Sequence, residues 1–123
     1  MAEQLVIRVT AMPTDLNPYG GVFGGWLMSQ LALGAGSLAS RTGRGKAVVI
    51  HATDFTFPGA MRVGDELSVY AQLIARGRTS LTIAARGEGR ERNGEAVVEV
   101  ARGQFKFVLL DDDDRPRALD KAE

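Results

Sequence analysis

The stretch WLMSQLALGAGSLASR, from Trp26 to Arg41, decides how this chain of 123 residues folds. It contains no proline and one charged residue, and as an α-helix it would be about 24 Å long. Apolar residues occupy every side of this predicted helix, and a helix that is apolar all round is buried. In so short a chain another element has to wrap the helix, and we expect a sheet.

Alternating apolar residues predict strands on both sides of this helix. Upstream, Leu5, Ile7 and Val9 recur with the period of two that is typical of a strand. Downstream, β-branched, aromatic and alternating residues predict further strands over 47–57, 66–75, 80–86 and 95–109. The predicted fold class is α+β, with an antiparallel sheet of about five to six strands around one long buried central helix.

Short turn signals join the later strands into a meander. Gly77-Arg78 makes a tight connection, and Asn93-Gly94 is a strong hairpin signal. In the last strand the inward-facing positions change from even to odd numbers near residues 101–103. One extra residue would produce this change, so we expect a β-bulge there.

The composition indicates one soluble domain. Fifteen Lys and Arg residues balance fifteen Asp and Glu residues, so no excess positive charge favours nucleic-acid binding. No run reaches the ~18 apolar residues of a membrane span, and no signal peptide is visible, so we expect a cytoplasmic protein without a membrane partner. The predicted domain covers residues 1–110, and the charged segment 111–123 is predicted to be a flexible tail.

Counting residues excludes the commonest catalytic constellations. The chain has no cysteine, hence no thiol nucleophile and no thiolate metal site. Its single histidine, His51, leaves little for a Ser-His-Asp triad or a histidine-based metal site. We therefore expect no metal site.

The residues just before the helix, GGVFGGW, form a glycine-rich turn. Their spacing is not the G-x-G-x-x-G of dinucleotide-binding folds, and two interpretations remain open. The turn is either a plain helix start, or it leaves the first backbone N–H groups uncovered to polarise a carbonyl oxygen. Asn17 similarly either forms a turn or holds a water molecule or a substrate carbonyl.

Basic residues near two turns could meet a phosphorylated ligand. One group consists of Arg41, Arg44 and Lys46, and the other is the pair Arg76 and Arg78. Arginine and lysine in turns usually face water, so both interpretations stay open.

The segment MPTDLNPYGGVFGGWLMSQLALGAGSLA, from Met12 to Ala39, resembles the signature of the bacterial hotdog-fold acyl-CoA thioesterases. Members of that family carry an M-P-x-D-x-N-x-x-G-x-x-F-G-G-W-x-M-S-Q-x-D-like stretch into their central helix. The chain reproduces Met12, Pro13, Asp15, Asn17, Gly20, Phe23, Gly24, Gly25, Trp26, Met28, Ser29 and Gln30. Phe57, Val63-Gly64-Asp65 and Gly77-Arg78-Thr79-Ser80 follow in the family's order, so the resemblance covers about residues 5–110.

This resemblance implies a hotdog domain that hydrolyses an acyl-CoA to a free acid and CoA. No metal or redox cofactor is implied, because CoA is part of the substrate. The resemblance implies catalytic roles at Asn17, Gly24 and position 32. It implies substrate binding by Phe23, Gly25, Gly77, Arg78, Thr79 and Ser80.

One position departs from the family pattern. Where the family has its catalytic aspartate, directly after S-Q-x, this chain has Ala32. The carboxylate acts as a general base on water or as a nucleophile, and alanine can do neither. The chain is either a natural variant with lost or relocated chemistry, or it carries an engineered inactivating substitution, which the intact remainder of the signature favours. Alternative functions are a non-hydrolytic CoA-ester binding or sensing module and a hotdog dehydratase.

Helix geometry predicts that the site is shared between subunits. Gly24 and Ala32 lie about 12 Å apart along one helix, so one thioester carbon cannot contact both. A neighbouring subunit therefore has to supply one of the two positions. The resemblance implies dimers with active sites at the interface and commonly a hexamer of three dimers, so we expect a dimer and further a tetramer or hexamer.

Overall fold

The structure, a computed structural model, describes residues 2–119, and its central element is one long helix. Helix α1, Gly24–Gly43, contains the predicted stretch and extends two residues beyond it at each end. The residue that follows the helix and caps it is Arg44. It adopts the left-handed conformation with φ of 58° and donates its N–H to the Ser40 carbonyl. The strands are β1 (Gln4–Thr10), β2 (Ala47–Thr56), β3 (Glu66–Arg76), β4 (Ser80–Arg90) and β5 (Val97–Leu109).

The five strands form one sheet in the order β1-β3-β4-β5-β2, and neighbouring strands are antiparallel. The predicted fold class and the β3-β4-β5 meander are confirmed. The first strand lies at one edge beside β3, and β2 lies at the other edge beside β5. Because β2 pairs within the chain on one side only, its outer edge carries backbone groups without a strand partner in this sheet.

The sheet covers one side of α1. The buried helix residues are Leu27, Leu31, Gly34, Ala35, Leu38, Ala39 and Gly43. They pack against the inner face of the sheet, where Val69 and Ile83 are fully buried. On the other side of the helix, Leu33 is 63% exposed and Met28 is 37% exposed. A single sheet thus leaves an apolar helix face uncovered.

The predicted bulge in β5 lies one residue earlier than expected. Gly87 is opposite Ala101 and Glu88 is opposite Glu99, so Val100 is the extra residue. Both Val100 and Ala101 are fully buried, because the bulge turns two successive side chains inward.

The segment after β5 folds back along the end of α1. Arg117 donates hydrogen bonds to the carbonyls of Leu110 and Gly43, and Leu119 packs against the core. We expected a solvated tail from residue 111. The part up to Leu119 differs because Arg117 satisfies a carbonyl at the helix end and Leu119 buries apolar surface. Residues 120–123 lie outside the described residues, and the domain boundary at residue 110 stays a prediction.

Gly34 allows α1 to approach β1 and β3 closely. A Cβ atom at Gly34 would lie 2.5 Å from Cγ2 of Val6 and 3.2 Å from Cγ1 of Val69. Although alanine favours a helix, Gly34→Ala should lower the free energy of unfolding by about 1–3 kcal/mol through overpacking. Urea unfolding measures this loss. The cost should be smaller in a Val6→Ala background, and an equal cost in both backgrounds would contradict the collision.

Candidate active site

The N-terminal end of α1 emerges directly from the glycine-rich loop. The N–H groups of Trp26 and Leu27 donate to the Phe23 carbonyl, at 3.0 and 3.2 Å. The N–H groups of Gly24 and Gly25 come earlier in the first turn, where a helix has no internal acceptor. They point out of the positive end of the helix dipole, an arrangement that can polarise a carbonyl oxygen.

Two aromatic rings flank this helix end. The Phe23 ring lies over Gly25, where a Cβ atom would be 2.5 Å from its Cε2 atom. The Phe57 ring lies beside Gly24, with Cε1 3.7 Å from the position of a Cβ atom. Both rings are about half exposed, so they form an apolar wall that a ligand can reach. Phe57 matches the family pattern in the sequence, but the sequence alone predicts no site role for it.

Asn17 shapes the loop that leads to the helix. Its Oδ1 atom accepts hydrogen bonds from the N–H groups of Tyr19 and Gly21, at 2.8 and 3.2 Å. Gly20 adopts a φ of 96°, which favours glycine. The turn-forming interpretation of Asn17 is therefore confirmed, and a substrate role for its Nδ2 atom stays a prediction.

Ala32 lies further along α1, in an open groove beside β2 and β5. The groove is lined by Ser29, Ala32, Leu33, Gly36, Ser37, Ser40, Ala47 and Phe107. None of these eight side chains is ionisable. The Ser29 hydroxyl donates to the Gly25 carbonyl at 2.9 Å. Position 32 therefore has no lining side chain that could act as a general base on water.

The turn between β3 and β4 lies at the opposite end of the helix from Gly24. Three backbone hydrogen bonds fix this hairpin. The Gly77 N–H donates to the Ser80 carbonyl at 2.8 Å. From outside the hairpin, the Leu109 N–H donates to the Thr79 carbonyl at 2.8 Å, and the Leu119 N–H donates to the Arg78 carbonyl at 2.9 Å. Within residues 2–119 the Arg78 guanidinium makes no hydrogen bond or ion pair, and it remains available for an anion. A Cβ atom at Gly77 would collide with the Ser80 hydroxyl, so a larger residue there would require the Ser80 side chain to move.

The side chains of the other basic group, Arg41, Arg44 and Lys46, already interact within the chain. Arg41 donates to the Gln4 side chain, and Lys46 donates to Asp114 at 2.7 Å. The hydrogen bond to Asp114 raises the pKa of Lys46 above its ordinary value. Arg78 is thus the better candidate for a ligand phosphate at this end of the molecule.

Within one chain, the predicted site residues therefore lie in three separate places. Asn17, Phe23, Gly24 and Gly25 gather at the start of α1, Ala32 lies in the groove, and the hairpin 77–80 lies at the other end. A helix of 20 residues is about 30 Å long, so the first and last groups are far apart. The separation agrees with a site that needs a neighbouring subunit.

Metal ligands and membrane-spanning helices are not found in the described part of the chain. Residues 2–119 hold no cluster of three or more His, Asp or Glu side chains suited to a metal ion. No helix among these residues has the length and apolar character needed to cross a membrane.

Comparison with known proteins gives the family. The family model of the thioesterase superfamily matches residues 19–95, and the chain belongs to this superfamily. Its fold, an antiparallel sheet around one long helix, is the hotdog fold that the resemblance implied.

Individual relatives agree with this family. The chain is 43% identical over 115 residues to the uncharacterized acyl-CoA thioester hydrolase ZMO0511 of Zymomonas mobilis, covering 94% of this chain and 77% of that protein. It is 36% identical over 118 residues to the acyl-CoA thioester hydrolase YciA of Escherichia coli K12, covering 94% and 89%. Among solved structures, a mutant of HI0827, a hexameric broad specificity acyl-coenzyme A thioesterase, superposes with a TM-score of 0.93 at 31% identity, covering 96% and 87%.

Proposed function

We propose that this protein is an acyl-CoA thioester hydrolase in which Ala32 stands at the position of the catalytic carboxylate. The observation that carries the proposal is the open start of α1, where Gly24 and Gly25 present N–H groups directly after the loop that Asn17 shapes. The similarity to acyl-CoA thioester hydrolases supports the same substrate class. With alanine at position 32 we expect the CoA-ester site to persist and hydrolysis to be impaired.

The proposed reaction is attack of water on the thioester carbonyl carbon. The carbonyl oxygen receives the Gly24 and Gly25 N–H groups, which stabilise the negative charge that develops on it. The C–S bond then breaks, and the CoA thiolate leaves and takes up a proton. The Asn17 Nδ2 atom lies near Gly21 at the edge of this site and can orient the water or the carbonyl. A carboxylate at position 32 would take the proton from the attacking water.

In a symmetric dimer, the site residues that lie apart within one chain come together across the interface. If the free edges of two β2 strands pair antiparallel, the two helices also run in opposite directions on one side of the joined sheet. The C-terminal end of one helix then lies beside the N-terminal end of the other. This arrangement brings the Arg78 hairpin and position 32 of one chain toward Gly24 of its partner. The exposed Val48, Val49 and Ile50 of β2 support this interface, and the hexameric HI0827 supports a larger assembly.

A second candidate is a CoA-ester binding or sensing module without hydrolysis. The specific observation in its favour is the groove at Ala32, whose eight lining residues include no ionisable side chain. Both candidates need the same CoA contacts, so the two differ in turnover and not in binding.

Arg78→Ala should weaken CoA binding by about 1.5–3 kcal/mol, the value of a charge-assisted hydrogen bond. The reason is that the Arg78 guanidinium has no partner among residues 2–119 and stands on a fixed hairpin. Isothermal calorimetry at low salt measures the change. Arg102→Ala is the matched control, because Arg102 pairs with Glu99 elsewhere in the sheet. Unchanged affinity in Arg78→Ala would remove Arg78 from the site.

A further inference from the structure

The segment Asp111–Leu119, here called the strap, is ordered by contacts of its own. Asp111 Oδ1 accepts the N–H groups of Asp113 and Arg115, at 2.9 and 3.0 Å. The Asp111 N–H donates to the Arg115 carbonyl at 2.8 Å. The chain therefore reverses direction tightly and returns alongside the end of β5, where Leu110 pairs with Pro116.

Arg117 attaches the strap to α1. Its Nε atom donates to the Leu110 carbonyl at 3.0 Å, and its Nη2 atom donates to the Gly43 carbonyl. Gly43 is the last residue of α1, where carbonyls lack a partner within the helix. The guanidinium charge also lies at the negative end of the helix dipole. One side chain thus joins the end of the helix, the end of β5 and the strap.

Leu119 attaches the strap to the hairpin. Two residues beyond Arg117, the Leu119 N–H donates to the Arg78 carbonyl at 2.9 Å, and its side chain packs against the core. The adjacent Thr79 carbonyl is held by the Leu109 N–H of β5. The strap therefore supplies the hydrogen bond that fixes the backbone of Arg78 itself.

We propose that the strap positions Arg78 for the phosphates of CoA, with Arg117 as the positioning residue that acts through Leu119. This inference rests on the proposed function, because it requires CoA to reach the hairpin. A hairpin tip already held in one conformation loses less conformational entropy when Arg78 binds a phosphate. The Nε and Nη2 atoms of Arg117 donate to the Leu110 and Gly43 carbonyls, so the role we assign to Arg117 is to hold the strap and not to bind the ligand.

Two variants of the strap distinguish the positioning of Arg78 from the effect of the strap's overall positive charge. Arg115 carries the same charge in the same strap, and its side chain makes no hydrogen bond or ion pair with residues 2–119. Arg117→Ala should weaken CoA binding, measured by calorimetry on the full chain, about 3- to 20-fold, which lies within the range of coupling between residues that act together. Arg115→Ala should leave the affinity within about twofold.

A double-mutant cycle tests whether Arg117 acts through Arg78. In an Arg78→Ala background, Arg117→Ala should cause less than about a twofold further loss, because the positioned side chain is already gone. Arg117→Lys keeps the charge and one donor and should recover most of the affinity. A purely structural role would lower the melting temperature without this coupling. If Arg117→Ala does not fold, the same cycle with Arg117→Gln, which keeps one amide donor, decides the question.

Each outcome has one meaning. A loss from Arg115→Ala as large as that from Arg117→Ala would overturn positioning in favour of overall charge. Additive losses from Arg78→Ala and Arg117→Ala would overturn action through Arg78. If the unchanged protein does not bind CoA, the proposed function fails. If it binds CoA and Arg78→Ala has no effect, Arg78 is not in the site and the strap proposal is overturned while the proposed function stands. A normal Arg78→Ala effect without an Arg117→Ala effect contradicts the role of the strap alone.

Discussion

Ala32→Asp should raise the turnover of an acyl-CoA by about 10²- to 10⁴-fold, the usual contribution of a positioned general base. The groove at position 32 contains no ionisable lining residue, so the present chain has no base there to activate water. Under the proposed function, the N–H groups of Gly24 and Gly25 at the start of α1 stabilise the oxyanion in both the present chain and the variant. Release of free CoA thiol from short, long and aromatic acyl-CoAs measures the gain.

Two matched variants identify the cause of any gain. Ala32→Asn has the same shape as the aspartate variant without a base, and it should remain as slow as the present chain. Ser37→Asp places a carboxylate elsewhere in the same groove and should also have no effect. Equal, slow hydrolysis by Ala32→Asp and the present chain, with the fold intact by circular dichroism, would contradict the assignment of position 32. That result would favour the binding or sensing module.

Sedimentation equilibrium at micromolar concentration should give at least twice the chain mass of 13.2 kDa, and four or six times that mass for a tetramer or hexamer. The physical reason is the apolar surface that one chain leaves uncovered. Val48, Val49 and Ile50 of the edge strand β2 are 44–56% exposed, and Leu33 is exposed on α1. A long apolar edge strand is a template for pairing with another chain.

Ile50→Asp should dissociate the assembly into monomers and abolish tight CoA binding. A charge on the β2 edge opposes strand pairing, and the proposed site draws on two chains. Leu5→Asp is the matched control, because Leu5 is an exposed aliphatic residue on β1 at the other edge of the sheet. It should retain at least the dimer. A compact monomer that binds CoA with full affinity would contradict both the interface and the shared site.

The sequence was sufficient to predict the elements whose signal is local. The helix was predicted within two residues at each end, because a long uncharged apolar stretch without proline has few other structures available. Strand β4 continues to Arg90, four residues beyond its prediction, because Gly87 and Gly89 interrupt the alternation. A Cβ atom at these glycines would lie 2.9 Å from Leu67 and 2.6 Å from Met61. A side chain at Gly87 or Gly89 would displace these residues of the inner face. The spacing of apolar residues in the sequence contains no signal for such close packing.

The sequence was sufficient to predict individual candidate site residues, but not the long-range contacts around them. The loop of Asn17 and the helix start at Gly24 carry motif signals, and the spacing from Gly24 to Ala32 predicts a shared site. The contact of Arg117 with Gly43 joins residues 74 positions apart. In the sequence, Arg117 is one of several charged residues in the segment that follows β5, and nothing distinguishes it from Arg115. The strap could therefore be recognised only from the folded chain.

The pairing of the edge strands sets the order in which this chain can fold during synthesis. In the sheet, Ala47 of β2 lies opposite Leu109 of β5, and Gln4 of β1 lies opposite Ala71 of β3. Among residues 2–119, the pairings between strands that are neighbours in sequence are those of the β3-β4-β5 meander, and α1 precedes it. Strand β2 therefore has no strand partner until β5 has been made, although α1 can already pack against β3 and β4. Such non-local pairing is slow and leaves an interval in which the nascent chain is exposed to aggregation.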